Sequence, residues 1–256
     1  MKTSNKLLLI AFALILAGIV VTIAKVKQYV VQNTEYSGNG PIELSGEVIQ
    51  KDYTISDFKK LKVEGAVSLT LAKGENNSLK IKADSAIFKR IEVIDENNVL
   101  TIRLTNTNGK KVKAIAELIS ANMNIEKFVV NAGSRVTSED TVATNEMNID
   151  VNAGGKLTLN VNANEINCDA NAGGFSELKG KAAKLSAEAN AGGHIHAKDL
   201  MVTNAKVRTN AGGQIYVYVN GELDAKCNAG GVVKYYGNPD IKNIDINAGG
   251  RISRAD

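Results

Sequence analysis

His194 and His196 are the chain's two histidines, set two residues apart in "HIHAKD". On a strand, residues two apart share a face. Glu177 occupies the equivalent place one repeat earlier, so a His-His-Glu metal site is geometrically open. Nothing in the sequence marks the partners that orient ligating imidazoles, and no metal is expected there. A second candidate is the acidic series Asp150, Asp169 and Glu188, which recurs at one repeat position and would suit a shared cation. The series continues as Arg208 and Lys226, with Lys206 and Asp224 similarly matched, so charge compensation is the simpler account. Cys168 and Cys227 are the only thiols. A third set consists of rings: Phe175, His194, His196, Tyr216, Tyr218 and Tyr236 are expected on one outward face. Rings with polar edges suit contact with sugars or protein surfaces. These six residues are the candidate ligand-binding face. Walker, Rossmann and nucleophile-elbow patterns are absent, so the chain is expected to be non-enzymatic and to need no cofactor.

These residues are positioned by a repeat. Asn-Ala-Gly followed by Gly or Ser begins at Asn131, Asn152, Asn171, Asn190, Asn210, Asn228 and Asn247. The spacings are 21, 19, 19, 20, 18 and 19 residues. Five residues after each Asn stand Val136, Leu157, Ser176, Ile195, Ile215, Val233 and Ile252. Three before it stand Phe128, Ile149, Cys168, Ala187, Val207, Ala225 and Ile244. Apolar residues therefore alternate with polar ones on both sides of the turn, as strand–turn–strand units do. A unit of about twenty residues cannot bury its inner face alone, but parallel stacking at ~4.8 Å per rung does.

The expected fold is all-β: a parallel β-solenoid of about 19–20 residues per rung, preceded by an N-terminal transmembrane or signal helix. Gly is expected to supply φ > 0 at the corners, Ala to fill tight space, and stacked Asn amides to bond from rung to rung. Cys168 and Cys227 both fall on inward positions, three rungs or ~14 Å apart. That is too far for a disulfide, so both are expected as buried free thiols.

Upstream, "FKKLKVEGAVSLTLAKG", "SLKIKAD", "KRIEVIDENNVLTIRL" and "EKFVVNAG" alternate as strands do. "KKVKAIAELISANMN" fits either a strand or a short helix. Residues 33–46 form a polar, turn-rich tether, and residues 47–256 the solenoid domain. Residues 1–32 form the anchor or signal segment, with an apolar run from Leu7 to Ala24. That run would span ~27 Å, near the lower limit for a bilayer. Thr22-Ile23-Ala24 is a poor cleavage site, which favours an uncleaved membrane anchor. The net charge of +4 comes from Lys2, Lys6, Lys25 and Lys27, leaving 27 basic residues against 27 acidic ones. A neutral body offers no footprint for nucleic acid.

The serial NAGG turns, preceded by "DFKKLKVEGAVSLTLAKGENNSLKIKAD" and "NNVLTIRL", resemble the putative auto-transporter adhesin head GIN domain family. The resemblance runs from about Val48 to Ile252. It implies an exported bacterial β-helical protein, commonly from Bacteroidetes, with an adhesive role and no catalytic motif. The expected function is that of a membrane-anchored, extracytoplasmic adhesin or surface-binding head in the cell envelope, with a glycan or cell-surface protein as partner. The alternative is a structural solenoid polymer or envelope scaffold, a homo-oligomer assembled head to tail through its terminal rungs.

Overall fold

The structure is a computed structural model that describes residues 43–105, 107 and 112–255. The apolar run 7–24 and most of the tether lie outside the described residues. Among the described residues, no helix is long and apolar enough to cross a membrane.

Among the described residues, seventeen strands join in one sheet that coils on itself. They are β1 (Val48–Thr54), β2 (Lys60–Glu64), β3 (Val67–Lys73), β4 (Ser78–Asp84), β5 (Ile91–Glu96), β6 (Val99–Leu104), β7 (Ala114–Ser120), β8 (Lys127–Asn131), β9 (Arg135–Asn152), β10 (Lys156–Asn171), β11 (Phe175–Asn190), β12 (His194–Asn210), β13 (Gln214–Val219), β14 (Glu222–Cys227), β15 (Val232–Gly237), β16 (Asp240–Ile246) and β17 (Arg251–Arg254). A 3₁₀ turn covers Ser85–Arg90.

From β8 onward the chain winds serially. Drawn straight, the 16 residues of β10 would reach ~53 Å. Yet Lys156 pairs in parallel with Phe175, one rung on, and Asn171 with Asn190. The strand must therefore bend round the axis within each rung. One bend shows in the burial. Leu157, Leu159, Val161 and Ala163 face in, then Asn164 and Glu165 both face out, and Ile166, Cys168 and Ala170 face in again. Asn164 donates to the Asn145 side chain at 2.6 Å across this corner.

The other corner is the Asn-Ala-Gly turn. In all seven turns the fourth residue's N–H donates to the Asn carbonyl, as Gly155 does to Asn152 at 3.0 Å. Ala153 has φ +50° and Gly154 φ +72°. Positive φ at both central residues defines a type I′ turn. Glycine supplies φ > 0 as expected, but alanine shares the task, because every repeat alanine takes φ between +47° and +54°. The geometry has a use. The Ala153 carbonyl accepts from Gly133 N–H, while the next atom along, Gly154 N–H, donates to the Ala172 carbonyl. A single peptide thus links three rungs, and the backbone ladder continues round the corner. The second glycine serves a different end. A Cβ on Gly174 would lie 2.0 Å from the Val151 carbonyl oxygen, so the rungs could not close there.

The Asn side chains form a partial ladder. Asn152 donates to Asn131 at 3.2 Å, Asn171 to Asn152 and Asn190 to Asn171 at 3.1 Å each. Beyond Asn190 it stops: Asn210 accepts from Ala211 N–H, and Asn247 donates to Asp245. The inward positions behave as the repeat predicts, with Val136, Leu157, Ser176, Ile195, Ile215 and Val233 fully buried.

The region before β8 is a cap with a different connection. β2 lies between β6 and β8, and β3 between β7 and β9, all parallel. Thus an early segment is threaded between two later ones. β4 adds antiparallel to β7, β1 to β4, and β5 to β6. The ambiguous stretch before Asn131 resolves as the strand β7.

Candidate functional site

The rings divide into two groups. Register pairs Phe175 with His194, and Glu177 with His196, which in turn pairs with Tyr216. His196 sits at the centre, its ring 4.8 Å from Phe175 at 69° and 4.8 Å from Tyr216 at 84°. His194 stands 6.5 Å from both Phe175 and His196. Edge-to-face contacts of this kind favour the ring quadrupoles. Lysines close both ends: Lys156 lies over the Phe175 ring at 4.6 Å and Lys234 over Tyr216 at 5.6 Å. The result is a half-buried ridge of rings along three rungs, bounded by cations on the rungs at either end.

Tyr218 and Tyr236 are not part of it. Register shifts between Ala197 and Met201, so Tyr218 pairs with Met201 and then with Tyr236. They form their own column, the next along β13, beside the half-exposed Met201. Of the six rings expected on one face, four meet in the ridge, and Tyr218 and Tyr236 form the adjoining column.

Burial, then the neighbouring His194, hold His196 below the usual imidazole range, with Glu177 opposing. A neutral imidazole is both donor and acceptor, which suits hydroxyl partners. Glu177 itself is occupied by Lys179, 3.0 Å away. Among the described residues, no group of three or more His, Cys, Asp or Glu side chains is arranged to hold a metal ion.

The acidic column stacks as its spacing implies, with Asp150, Asp169, Glu188, Arg208 and Lys226 consecutive in register. Lys127 pairs with Asp150 at 2.7 Å, so cations stand at both ends of it. Burial, with Asp150 and Glu188 after it, raises the Asp169 pKa. The thiols are both free and buried, and burial pushes Cys168 up to about 12. A thiol that keeps its proton is neither nucleophile nor ready redox partner.

Sequence reasoning missed a groove of about 480 Å³ on the strand face before the Asn turns, lined by Glu165, Lys184, Lys206, Glu222, Asp224 and Lys242. Its signal was present as charges of both signs four to six residues before Asn171, Asn190, Asn210, Asn228 and Asn247. Its depth comes from small residues, Ser186 and Ala205, and alternation alone does not reveal depth.

With the coil, its I′ turns and the ridge established, the comparisons are decisive for family. The family described as "Putative auto-transporter adhesin, head GIN domain" matches residues 57–239. The chain belongs to this family. Several solved structures share the GIN-domain fold. A putative adhesin from Bacteroides fragilis NCTC 9343 has a TM-score of 0.74 at 20% identity, covering 82% of this chain and 98% of that one. A putative lipid binding protein from Parabacteroides distasonis ATCC 8503 has 0.68 at 18%, covering 83% and 98%. A putative adhesin from Parabacteroides merdae ATCC 43184 has 0.62 at 18%, covering 83% and 98%. No curated protein matches the chain. At these identities the likeness concerns the fold, and the GIN domain's ligand must be argued from the ridge.

Proposed function

We propose that this GIN domain is a non-enzymatic adhesin head, held outside the cytoplasm by residues 7–24 and binding carbohydrate surfaces through the ridge Phe175–His196–Tyr216. The ridge carries the reading. Sugar rings present apolar faces edged with hydroxyls, and here aromatic edges alternate with an imidazole able to donate and accept. Lys156 and Lys234 add donors at its ends. A repeated, rigid surface suits repeated polymer ligands, because weak contacts on successive rungs add by avidity. The family and the adhesin names of its structural relatives support surface location, and the apolar run flanked by lysines supports anchorage.

The test is binding of the detergent-solubilised full chain to a glycan array and to intact cells. Tyr216→Ala and His196→Ala are each expected to weaken binding about tenfold, at ~1.4 kcal/mol per tenfold. Tyr218→Ala, on the separate column, is expected to leave it unchanged. If wild type and Tyr216→Ala bind alike, the ridge is not the site. Binding to protein on deglycosylated cells alone would replace carbohydrate as the ligand. Protease shaving of intact cells checks location: digestion of the GIN domain without lysis is expected, and protection until the envelope is opened would rule out surface adhesion.

A further inference from the structure

The two ends of the coil are finished differently. At the N-terminal end the outermost strands are β1 and β5, each paired on one side only. β5 carries Glu92, Asp95 and Glu96, the kind of charge that blunts a sheet edge. The interior behind them is closed by Ile55, Phe58, Ile87 and Phe88, all buried. At the C-terminal end, β16 pairs with β14 and β17 with β15, and no further strand follows among the described residues. There Ile241, Ile244 and Ile246 are 40%, 43% and 47% exposed. In earlier rungs the positions of Ile244 and Ile246 hold side chains no more than 2% exposed.

An open edge with a bare core needs a partner. Head-to-tail stacking would set the last rung against β1 and β5. β5 runs antiparallel to β6 and carries three acids, so that end offers no matching rung even though Val48 and Ile94 are exposed there. The C-terminal edge is instead complementary to itself. Laid antiparallel about a two-fold axis at Ala248, it sets Ile244 against the partner's Ile252, Asp245 against the partner's Arg251, and Asn243 against the partner's Ser253. Inward residues meet inward ones: Ile244 continues the column of Ala225, and Ile252 that of Val233. The outward pair is opposite in charge. Symmetry makes each contact twice, and a two-fold contact closes at two copies. Within its own chain Asp245 accepts from the Asn247 amide at 2.7 Å and lies 3.9 Å from Lys226. Its one cationic neighbour is therefore distant, and Arg251 is exposed.

We propose that the GIN domain forms a tail-to-tail dimer through the edge of β16 and β17, with a second copy of this chain as the occupant. The edge lies outside the residues matched by the family, which end at 239. Such a dimer doubles the ridge along one rod and points the two N-terminal caps in opposite directions.

The test is sedimentation of the detergent-solubilised full chain, with micelle mass subtracted. Wild type is expected as a dimer. Asp245→Arg and Arg251→Asp each place like charges opposite one another, and each is expected to weaken association at least about tenfold. The double variant Asp245→Arg/Arg251→Asp restores opposite signs and is expected to restore the dimer, which a loss of folding in either single variant would not explain. A wild-type monomer at all concentrations overturns the proposal. So does a dimer that both single variants leave intact, since the contact then lies elsewhere. An open-ended series of sizes also overturns it, because the capped end would then be joining too.

Discussion

The cap of β1–β7 and the coil of β8–β17 share one sheet but are held together in partly different ways. Both bury large side chains, Leu61, Leu69, Leu71, Leu79, Ile81, Leu100 and Leu118 in the cap and Phe128, Leu157, Leu159, Ile166, Leu178 and Ile195 in the coil. The inward positions of the coil also include Ala170, Ala187, Ala189, Ala197, Ala205 and Ala225. Small residues bury less apolar area per rung. What the coil has in addition is a backbone ladder that does not lapse at its corners, plus turns repeated in register. The lesson is that both depend on buried side-chain volume, and the coil adds close approach between backbones at its turns.

The largest expected effect tests where the two regimes meet. Phe128 is fully buried on β8, which pairs with β2 on one side and β9 on the other. Phe128→Ala is expected to cost ~3–5 kcal/mol, the range for deleting a buried aromatic side chain. In hydrogen exchange, protection should fall in both β2 and β9. Loss in only one of them would mean that cap and coil are uncoupled.

Next in size is a change that removes nothing. A Cβ on Gly193 would lie 1.9 Å from the Ala170 carbonyl oxygen, whereas one on Gly192 meets nothing within 4 Å. Gly193→Ala must push two rungs apart and is expected to cost ~3 kcal/mol or more. Gly192→Ala only places alanine at φ +71°, at about 1 kcal/mol. Denaturant melts of the two variants sharpen the comparison, and equal losses would make turn strain, rather than backbone approach, the limiting feature of the coil.

The Asn ladder gives a smaller difference. Asn171 donates to Asn152 and accepts from Asn190, while Asn228 lies beyond the last amide-to-amide bond. Asn171→Ala is expected to cost ~1–2 kcal/mol for two lost hydrogen bonds. Asn228→Ala should cost less, its turn still being closed by the Gly231 N–H. Equal costs would show that the Asn acts within each turn and not between rungs.

The same contrast explains what the sequence made legible. The coil's pairing partners lie one repeat away, so the phase of Leu157, Ile195 and Ile215 against their Asn revealed rung length, inward face and the fate of both cysteines. β2 and β3 are threaded between strands far along the chain, and such pairing leaves no period to read. The ridge was half legible: Phe175, His194, His196 and Tyr216 share a face as counted from the turn. The shift between Ala197 and Met201 then set Tyr218 and Tyr236 in register with Met201, in a column of their own that residue counting does not separate. Alanine at φ +47° to +54° was hidden because propensity assigns such angles to glycine. Only the ladder through the corner shows what offsets the strain.

In-register stacking also has a cost that the antiparallel cap strands avoid, since it sets like residues one above another. Asp169 lies between Asp150 and Glu188 in one column, and its pKa is raised by burial first and then by those two carboxylates. A raised carboxyl pKa means that the folded state holds its proton more tightly than the unfolded chain does. The favourable contribution is complete below the ordinary value of 3.8 and is lost as pH rises through the folded value. At neutral pH the ionised Asp169 therefore weakens the coil. Asp169→Asn keeps the shape and removes the charge, so thermal melts at neutral pH should show a small gain in stability. That gain should shrink to nothing as the pH is lowered through the carboxyl range, where Asp169 is itself protonated. A gain that persists in acid would come from the hydrogen bonds of the new amide and not from relief of repulsion, and the column would then cost the coil nothing.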